Sequence, residues 1–512
     1  MSPARKSGIF MYSDFDIQAL CRRASELRMG TPCICNPDQR PASGSFNWAI
    51  FLTFEDGVRW VFRSPRNQSY IMPMETSLKL LASEAATLRY IKSHSDIPIP
   101  EVYHYCDTAD NDVGVPYILM SEAPGGPLSE SWKSPGSYLP DLATDKKAKV
   151  LSQLGAIAWE LSQLRFDKIG SLFEEGGGFK VDECLSRGHV LDQRSSVEEV
   201  PRGPFTSAAS FYDSLISAFI QHAESLQLSH HCFVAPIPST DAYQSLDDYR
   251  MAVDLWNDFV AIGDKIDSSD NRLDYIVAGD ALRNIVPRLT RAAFTPNFPL
   301  CHGDLSVNNI YVDDDFNITC IIDWAFTSSV PESMSFVPPG LPQSRNEVSP
   351  ELYAAFIDGF ITAVLGSPSS ALRDEYRKSL ERCKPFWSLT RLLNLDCTGD
   401  YHLFATIWDA AHGGEKNIGA HFEQQRSSTH YAQVYEEIKL EDRPASKVEK
   451  DELSYFQDKA LRKTIAKKLT LLSQWKRQYS SVHLPTVRND MFVADDRLWK
   501  WLMQWMQEWG DL

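Results

Sequence analysis

"LCHGDLSVNNIYVDDDFNITCIIDW", residues 300–324, carries the most informative pattern in the chain. It contains a His-Gly-Asp triplet that ends at Asp304, then Asn309, then Asp323 behind a run of apolar residues. "NIYV" and "ITCII" are typical of two short strands, and residues 313–317 between them, which are rich in Asp and Asn, are typical of a turn. Antiparallel pairing would place Asn309 at the start of one strand and Asp323 at the end of its partner. We therefore expect both side chains at one mouth of a hairpin, with Asp304 on the loop before it.

These three side chains carry the donors that a hard cation and a reacting hydroxyl require. Mg²⁺ prefers oxygen ligands, and one amide and one carboxylate, here Asn309 and Asp323, are a typical protein contribution beside waters and phosphate oxygens. A third carboxylate, Asp304, can orient a hydroxyl and accept its proton. This pattern is that of phosphoryl transfer in kinases. The alternative is an ordinary polar turn, and the aspartates at 313–315 fit that description.

Composition limits the class of protein. The chain has 512 residues, and single cores stop growing at roughly 250–300 residues, so at least two lobes or domains are expected. A formal net charge of −17 argues against nucleic-acid or membrane partners and favours a neutral or cationic small-molecule substrate. The sequence contains neither a signal peptide nor a long apolar segment, so a cytoplasmic location is expected. It does not indicate an oligomeric state.

Two metal-like patterns have plainer explanations. Cys33 and Cys35 form a C-x-C pair, but a zinc site would need a second pair nearby, so we expect ordinary thiols. His230, His231 and Cys232 are expected to lie in a polar loop. The tryptophan-rich segment at 498–509 is predicted to be a core-packing helix rather than a membrane-surface helix, because its flanks are acidic.

The N-terminal third predicts a strand pair that could hold a nucleotide. "WAIFLTF" at 48–54 and "VRWVF" at 58–62 read as strands, and the Asp-Gly dipeptide between them signals a hairpin. Side chains alternate across a strand, so Val61 and Arg63 share a face. Arg63 could therefore reach nucleotide phosphates while Val61 lies against the base. The alternative for Arg63 is a surface arginine.

A helix is predicted next, because Leu81, Ala85, Leu88 and Ile91 fall on one face. Glu84 lies in this helix and could hold Arg63 in place; the alternative is a solvated helix residue. Further along, a second helix is predicted from apolar residues at helical spacing, with Thr144 as its N-cap. Those apolar residues are Val150, Leu154, Ile157, Leu161 and Leu164. Beyond about residue 350 the chain is predicted to be mostly helical.

The chain resembles the aminoglycoside phosphotransferase family of small-molecule kinases, and within it the large fungal branch. The resemblance covers about residues 40 to 330 and rests on six segments: "SGSFNW", "RWVFRSP", "SEAATLRYI", "IPIPEVYHY", "PYILMSEAPGGPL" and "CHGDLSVNNIYVDDDFNITCIIDWAFTSSVP". It implies an α+β, protein-kinase-like two-lobed fold with a small β-rich N-lobe (1–120), a hinge (121–126) and a large, mainly helical C-lobe (127–512). The C-lobe would contain the catalytic hairpin (300–324), a helical insertion at about 140–298 and a helical C-terminal part.

The resemblance also assigns roles and implies ATP and Mg²⁺ as cofactors. Asp304 becomes the catalytic base, and Asn309 and Asp323 become the Mg²⁺ ligands. Arg63 stands where the best-known members have Lys. Met120 would lie behind the adenine, with the backbones of the two residues at 121 and 123 as its hydrogen-bonding edge. The implied nucleotide-binding set is Ser45, Phe46, Asn47, Val61, Arg63, Glu84, Met120, Ser121 and Ala123.

The leading expectation is an ATP- and Mg-dependent O-kinase that phosphorylates a hydroxyl of a small metabolite, one that the charge favours as cationic. An alternative is a nucleotide-binding pseudokinase or regulatory scaffold. A third is a related ATP- or phosphate-using reaction, on a carboxylate or in a biosynthetic pathway, with the same metal residues. The H-R-D and A-P-E motifs of protein kinases are missing from the sequence, so a small acceptor is favoured over a protein.

Overall fold

The structure, a computed structural model, describes residues 8–447 except 67–70, 134–139, 229–232, 234–244, 248–267, 291–296, 345, 365–369, 396–399, 443 and 445. The chain forms two compact units. The first comprises Met1–Leu215 and Thr290–Trp387, and the second Ile216–Leu289 and Ser388–Leu512. Helix and sheet are mixed, as the sequence predicts. The predicted lobe boundaries stay a prediction.

An antiparallel sheet dominates the N-terminal part of the first unit. Its strands in chain order are β1 (Cys33–Ile34), β2 (Ala42–Ser43), β3 (Asn47–Phe54), β4 (Arg59–Pro65), β5 (Val102–Cys106) and β6 (Tyr117–Ser121). The spatial order is β1-β3-β4-β6-β5, and β2 pairs with β3. Gly57 adopts a φ of 85° in the predicted hairpin turn between β3 and β4, a conformation that glycine tolerates best.

Two helices cover the two faces of this sheet. Helix α1 (Ile17–Leu27) packs on the face that carries Trp60 and Phe62. Helix α2 (Met74–His94) packs on the opposite face, where Val61 lies against its buried side chains. The predicted alternation along β4 is therefore confirmed, and it directs Arg63 toward α2.

A second set of strands follows the sheet in the chain. These are β7 (Gly126–Pro127), β8 (Arg165–Phe166), β9 (Ser171–Glu175), β10 (Gly178–Asp182), β11 (Phe298–Cys301), β12 (Ile310–Val312), β13 (Ile318–Ile321) and β14 (Ser328–Ser329). Strands β12 and β13 form the predicted hairpin, and β7 pairs with β12. The Asp313 carboxylate accepts the Asn317 N–H at 2.8 Å, which closes the predicted turn.

Several of the remaining helices of the first unit contribute to a large apolar core. These remaining helices are α3 (Thr144–Gln163), α4 (Arg187–Val190), α5 (Ala208–Ser225, which continues past Leu215), α7 (Glu332–Ser335), α8 (Pro350–Val364), α9 (Ser370–Cys383) and α10 (Pro385–Asn394, which continues past Trp387). Helices α3 and α8 pack closely because each offers a glycine to the other. A Cβ on Gly155 would lie 2.1 Å from the carbonyl oxygen of Phe356, and one on Gly359 would lie 1.9 Å from that of Ser152.

The second unit is helical in its described part. Helix α6 (Ser269–Leu289) is followed by α11 (Asp400–His412), α12 (Ile418–Arg426) and α13 (Thr429–Lys439). The Arg426 guanidinium donates to Asp274 at 2.6 Å, and the Tyr431 hydroxyl donates to Asp280 at 2.9 Å. Burial raises the pKa of Asp274 to about 6, although Arg426 opposes that rise.

The structure differs from the sequence predictions in two details. The region at 140–298, expected to be helical, also contains the β9–β10 hairpin, because Gly176 and Gly177 take up positive φ values between two short strands. Thr144 is the first residue of α3 rather than its N-cap, which is Ala143 without a side-chain hydrogen bond. The five apolar residues predicted for that helix are buried.

The core-packing helix predicted at 498–509 and the polar loop predicted at 230–232 lie outside the described residues. Within the described residues, every helix is too short or too polar to span a membrane.

Candidate active site

Arg63 links its strand, β4, to helix α2 and to the β12–β13 hairpin through two ion pairs. Its Nη1 donates to the carboxylate of Glu84 on α2, and its Nη2 donates to the carboxylate of Asp323, just after β13. The side chains of Arg63 and Glu84 are 13% and 5% exposed, whereas that of Asp323 is 34% exposed. The structure therefore places these three predicted site residues together, with the Asp323 carboxylate on the solvent side.

The buried end of this triad is fixed by the backbone. Glu84 Oε1 also accepts the N–H of Trp324 at 3.1 Å, so helix α2 is tied to the residue that follows Asp323. Burial raises the pKa of Glu84, an effect that the Arg63 charge opposes. The pKa of Arg63 is raised because its two carboxylate partners outweigh the effect of burial. The charged arginine is thus the stable form.

Asp323 has a left-handed backbone conformation, with a φ of 62°. Such a conformation costs an ordinary L-residue roughly 1 kcal/mol, and aspartate tolerates it better than most. The surrounding contacts hold it there: Ile322 N–H donates to the Asn309 carbonyl at 2.9 Å, and His302 Nε2 contacts the Ile322 carbonyl at 3.1 Å. The hairpin and the His-Gly-Asp loop therefore fix the carboxylate direction together.

His302 organises the loop that carries Asp304. Its Nδ1 accepts the Asp304 N–H at 3.1 Å, so the Nε2–H is the group that donates to Ile322. Burial lowers the pKa of His302 to about 4, which keeps the imidazole neutral at pH 7. A Cβ at Gly303 would lie 2.7 Å from the carbonyl oxygen of Phe326, so the loop has no room for a side chain there.

Asn309 is oriented by the same loop. Its Nδ2 donates to the Asp304 carbonyl at 2.8 Å. Since the amide nitrogen is used in this way, the amide oxygen is the atom that remains to act as a ligand. The predicted base and the two predicted metal ligands thus belong to one hydrogen-bonded loop and hairpin.

The predicted adenine side of the site lies on the α2 face of the sheet. Val61 on β4 is the register partner of Met120 on β6, and both pack with Leu81 and Ala85 of α2. Met120 is buried at the position expected for a residue behind the base.

The predicted hinge runs beside the catalytic hairpin. The Ser121 N–H donates to the Glu101 carbonyl at 2.9 Å, so the group that Ser121 can offer to a base is its carbonyl. Three residues after Ala123 the chain enters β7, and the Thr319 hydroxyl donates to the Pro124 carbonyl at 2.5 Å. These contacts connect the hinge to β12 and β13.

The turn at Ser45, Phe46 and Asn47 lies at the other end of the site. It links β2 to β3, and the Gly44 N–H donates to the Asn47 carbonyl at 3.0 Å. Phe46 packs edge-on against Phe326, with 5.3 Å between ring centroids. The turn therefore sits close to the residues that follow Asp323.

Sequence reasoning missed Arg187. Its Nη1 lies 2.8 Å from Asp304 Oδ2, and its Cζ lies 5.7 Å from the centre of the Phe326 ring. The residue belongs to α4, far from the recognised motifs in sequence, so local pattern does not reveal it. The one available signal is indirect: the segment from Asp304 to Asn309 contains no cationic residue of its own.

The side-chain oxygens of Asn309 and Asp323 fit a magnesium–nucleotide complex better than a metal site made of protein ligands alone. Within the described part of the chain, no group of three or more His, Cys, Asp or Glu side chains is arranged to hold a metal. Asn309 and Asp323 offer two oxygens, and Mg²⁺ usually completes its shell with waters and phosphate oxygens. Cys33 and Cys35 are free thiols, and burial raises the pKa of Cys35 to about 12.

Comparison with known sequences gives partial matches. No family model matches the chain. A subtelomeric hrmA-associated cluster protein of Aspergillus fumigatus is 30% identical over 181 residues, which is 33% of this chain and 33% of the relative. The mitochondrial altered inheritance of mitochondria protein 9 of Candida tropicalis is 32% identical over 124 residues, or 24% of this chain and 19% of the relative. The chain spans about a third or less of the length of these curated relatives.

Comparison with solved structures finds similar chains at low identity. A putative fructosamine-3-kinase from Thermobifida fusca aligns with 78% of this chain and 100% of its own, with a TM-score of 0.40 and 14% identity. The apoenzyme of a macrolide 2'-phosphotransferase from Brachybacterium faecium aligns with 78% of this chain and 100% of its own, with a TM-score of 0.35 and 15% identity.

Proposed function

We propose that this protein is an ATP- and Mg²⁺-dependent phosphotransferase that transfers the γ-phosphate to a hydroxyl of a small metabolite. The observation that carries the proposal is the convergence of Asp304, Asn309 and Asp323 in one loop and hairpin, with Arg63 and Glu84 fixed behind them. A base, two oxygen ligands and a phosphate-binding cation are the parts that phosphoryl transfer requires.

Each residue has a separate task in this proposal. Asp304 orients the acceptor hydroxyl and takes its proton. Asn309 and Asp323 would hold Mg²⁺, and the ion would supply positive charge that neutralises the phosphates. Arg63 faces the nucleotide phosphates while Glu84 fixes its direction. Because His302 stays neutral and holds the Asp304 N–H, the base remains in place without a second charge on its loop.

The Arg63–Asp323 pair bears on how nucleotide and metal enter. The Asp323 carboxylate that pairs with Arg63 would also be a ligand of Mg²⁺, so the metal would compete with Arg63 for this carboxylate. Arg63 would then have Nη2 to donate to phosphate oxygens, while Nη1 donates to Glu84. An arginine suits this exchange because its fork presents separate donors to two anions.

The chemical class of the acceptor is proposed from the net charge of the protein. The net charge of −17 favours a neutral or cationic metabolite. A cytoplasmic setting and a small-molecule partner, rather than nucleic acid or membrane, are part of the same proposal.

Turnover against a panel of hydroxyl compounds tests the proposal. The full chain is incubated with MgATP and amino-alcohols, sugars or aminoglycosides, and ADP release is measured. We expect at least one acceptor to speed ADP release, and Asp304→Ala to abolish that increase. An accepted substrate that Asp304→Ala turns over as fast as the wild type contradicts the proposed role of Asp304.

Thermal melting separates the enzyme from the scaffold. MgADP should raise the melting temperature in either case, since any ligand that binds the folded state stabilises it. A scaffold would show this rise but no acceptor-dependent turnover across the panel. A chain whose melting temperature does not respond to MgADP is neither.

A further inference from the structure

A cation contacts the proposed catalytic base, and it comes from outside the catalytic loop. The residues between Asp304 and Asn309 are Leu, Ser, Val and Asn, so this loop supplies no positive charge. Arg187 of α4 fills that role with its Nη1 at 2.8 Å from Asp304 Oδ2. The side chains of Arg187 and Asp304 are 15% and 26% exposed, so the pair lies at the edge of the interior and not on an open surface.

The segment that presents Arg187 is held by buried polar contacts. Arg194 is buried, and its Nη1 donates to the Gly188 carbonyl at 2.8 Å. Arg202 Nη2 donates to the carbonyls of Arg194 at 2.6 Å and Val197 at 2.7 Å. Guanidinium groups bound to backbone carbonyls fix a chain segment firmly, so Arg187 starts from a preorganised backbone.

His189, which lies on α4 together with Arg187, also holds this helix through buried polar contacts. His189 is fully buried, with Nδ1 at 2.8 Å from the Ser186 hydroxyl and Nε2 at 3.1 Å from the Ser214 hydroxyl. Leu185, Val190 and Leu191 pack in one cluster with Phe326, the third residue after Asp323. Helix α4 is therefore built against the residues that follow the proposed metal ligand.

We propose that Arg187 is a catalytic residue that contacts the phosphoryl group during transfer, an arginine finger supplied by the same chain. This inference rests on the proposed function. The hydroxyl that Asp304 orients must stand about 3 Å from the attacked phosphorus. A guanidinium already bound to that carboxylate lies within reach of the phosphoryl oxygens, where its positive charge meets the negative charge that develops in transfer.

The step balances without a further reactant. The bond between the γ-phosphorus and the bridging oxygen breaks, and its electron pair leaves with ADP. A bond forms between the acceptor oxygen and the phosphorus, and the acceptor proton goes to Asp304. Arg187 neither gains nor loses a proton; it stabilises the transferring group, and its effect should therefore appear in kcat and not in nucleotide affinity.

A transition-state mimic tests this role without knowledge of the acceptor. The melting temperature of the full chain is measured with MgADP alone and with MgADP plus aluminium fluoride, which imitates the transferring phosphoryl group. We expect the fluoride to add a further rise in the wild type, and Arg187→Gln to lose that further rise while keeping the MgADP rise. Arg187→Lys should keep part of it, since the charge remains but the fork is lost.

Lys180→Ala is the matched control, because it removes an exposed charge of β10 in the same unit whose partners are Glu175 and Asp182. It should behave as the wild type. Equal fluoride increments in wild type and Arg187→Gln overturn the inference, as does a wild type that gains nothing from fluoride. A wild type that does not respond to MgADP at all overturns the proposed function itself, which is a different result.

Turnover gives the second readout. With an acceptor from the panel, Arg187→Gln should lower kcat on the order of 10³-fold, with the KM for ATP nearly unchanged. If Arg187→Gln does not fold, Arg187→Lys carries the test, with an expected loss of about tenfold in kcat. A kcat for Arg187→Lys equal to that of the wild type, or a loss confined to KM, contradicts the contact with the phosphoryl group.

Discussion

The guanidinium of Arg63 donates to the carboxylate of Asp323, 260 positions further along the chain. This contact joins the N-terminal sheet to the β12–β13 hairpin inside one compact unit. It also links the fold to the proposed chemistry, because the phosphate-binding cation and a metal ligand share one ion pair.

Arg63→Met should destabilise the protein by about 3–5 kcal/mol, because it leaves the buried Glu84 carboxylate without its charge partner. Chemical denaturation measures the change. Arg59→Met, on the same strand, is the control: the Arg59–Glu122 pair at 3.0 Å has side chains 44% and 33% exposed, so its loss should cost less than about 1 kcal/mol. Equal costs for the two variants would contradict the buried triad.

Asp323→Asn should keep the fold and lower the affinity for MgADP at least about tenfold, because a charged oxygen ligand is lost while asparagine still tolerates the left-handed backbone. Titration calorimetry with and without Mg²⁺ measures the effect, which should vanish when the metal is chelated. Asp314→Asn, in the turn of the same hairpin, should leave the affinity unchanged. An affinity for MgADP that is unchanged in both variants would favour the alternative that Asp323, like Asp314, is an ordinary turn residue, and an equal loss in both would contradict a specific role for Asp323.

Gly155→Ala should destabilise the first unit by about 1–3 kcal/mol, although alanine is the better helix former. The new methyl group would meet the backbone of α8 at Phe356, which cannot turn away as a flexible side chain can. Thermal and denaturant unfolding measure the cost. Gly178→Ala, where the nearest atom would be 3.9 Å away, should change stability by less than about 0.5 kcal/mol.

Acidification should destabilise the protein in part through His189. Burial lowers its pKa from 6.5 to about 3, so between those pH values the unfolded chain binds a proton that the folded chain does not. Stability from this group is therefore complete above about pH 6.5 and falls as the pH drops, by about 2 kcal/mol at pH 5. Denaturation at pH 7 and pH 5 should show a smaller loss for His189→Asn than for the wild type; an identical loss would contradict the buried neutral histidine.

Local pattern predicted much of this molecule. The β12–β13 hairpin follows from two β-branched runs and a turn, and the direction of Arg63 follows from strand alternation. The burial of Leu154 and Ile157 follows from helical spacing. These features depend on residues close together in sequence, which is why the sequence reveals them.

The features that the sequence did not reveal depend on distant contacts. Arg187 and Asp304 are far apart in the sequence. They come into contact because β11 brings the chain back to the first unit just before Asp304. In the sequence, Gly155 and Gly359 are only residues of low helix propensity. Their role in the close packing of α3 against α8 appears in the three-dimensional structure. The sequence did not predict the β9–β10 hairpin, because its strands are short and carry mixed side chains. Its glycine turn is equally typical of a loop between helices.

The most direct test of the central claim follows the phosphate itself. The full chain is incubated with Mg²⁺, a pool of hydroxyl-bearing metabolites and ATP that carries oxygen-18 in its γ-phosphate, and the products are identified by mass spectrometry. We expect a metabolite that carries the labelled phosphate with the wild type, and none with Asp304→Asn, whose melting temperature should still rise with MgADP. Labelled phosphate that appears only in water, or a labelled metabolite formed equally by Asp304→Asn, would contradict the account.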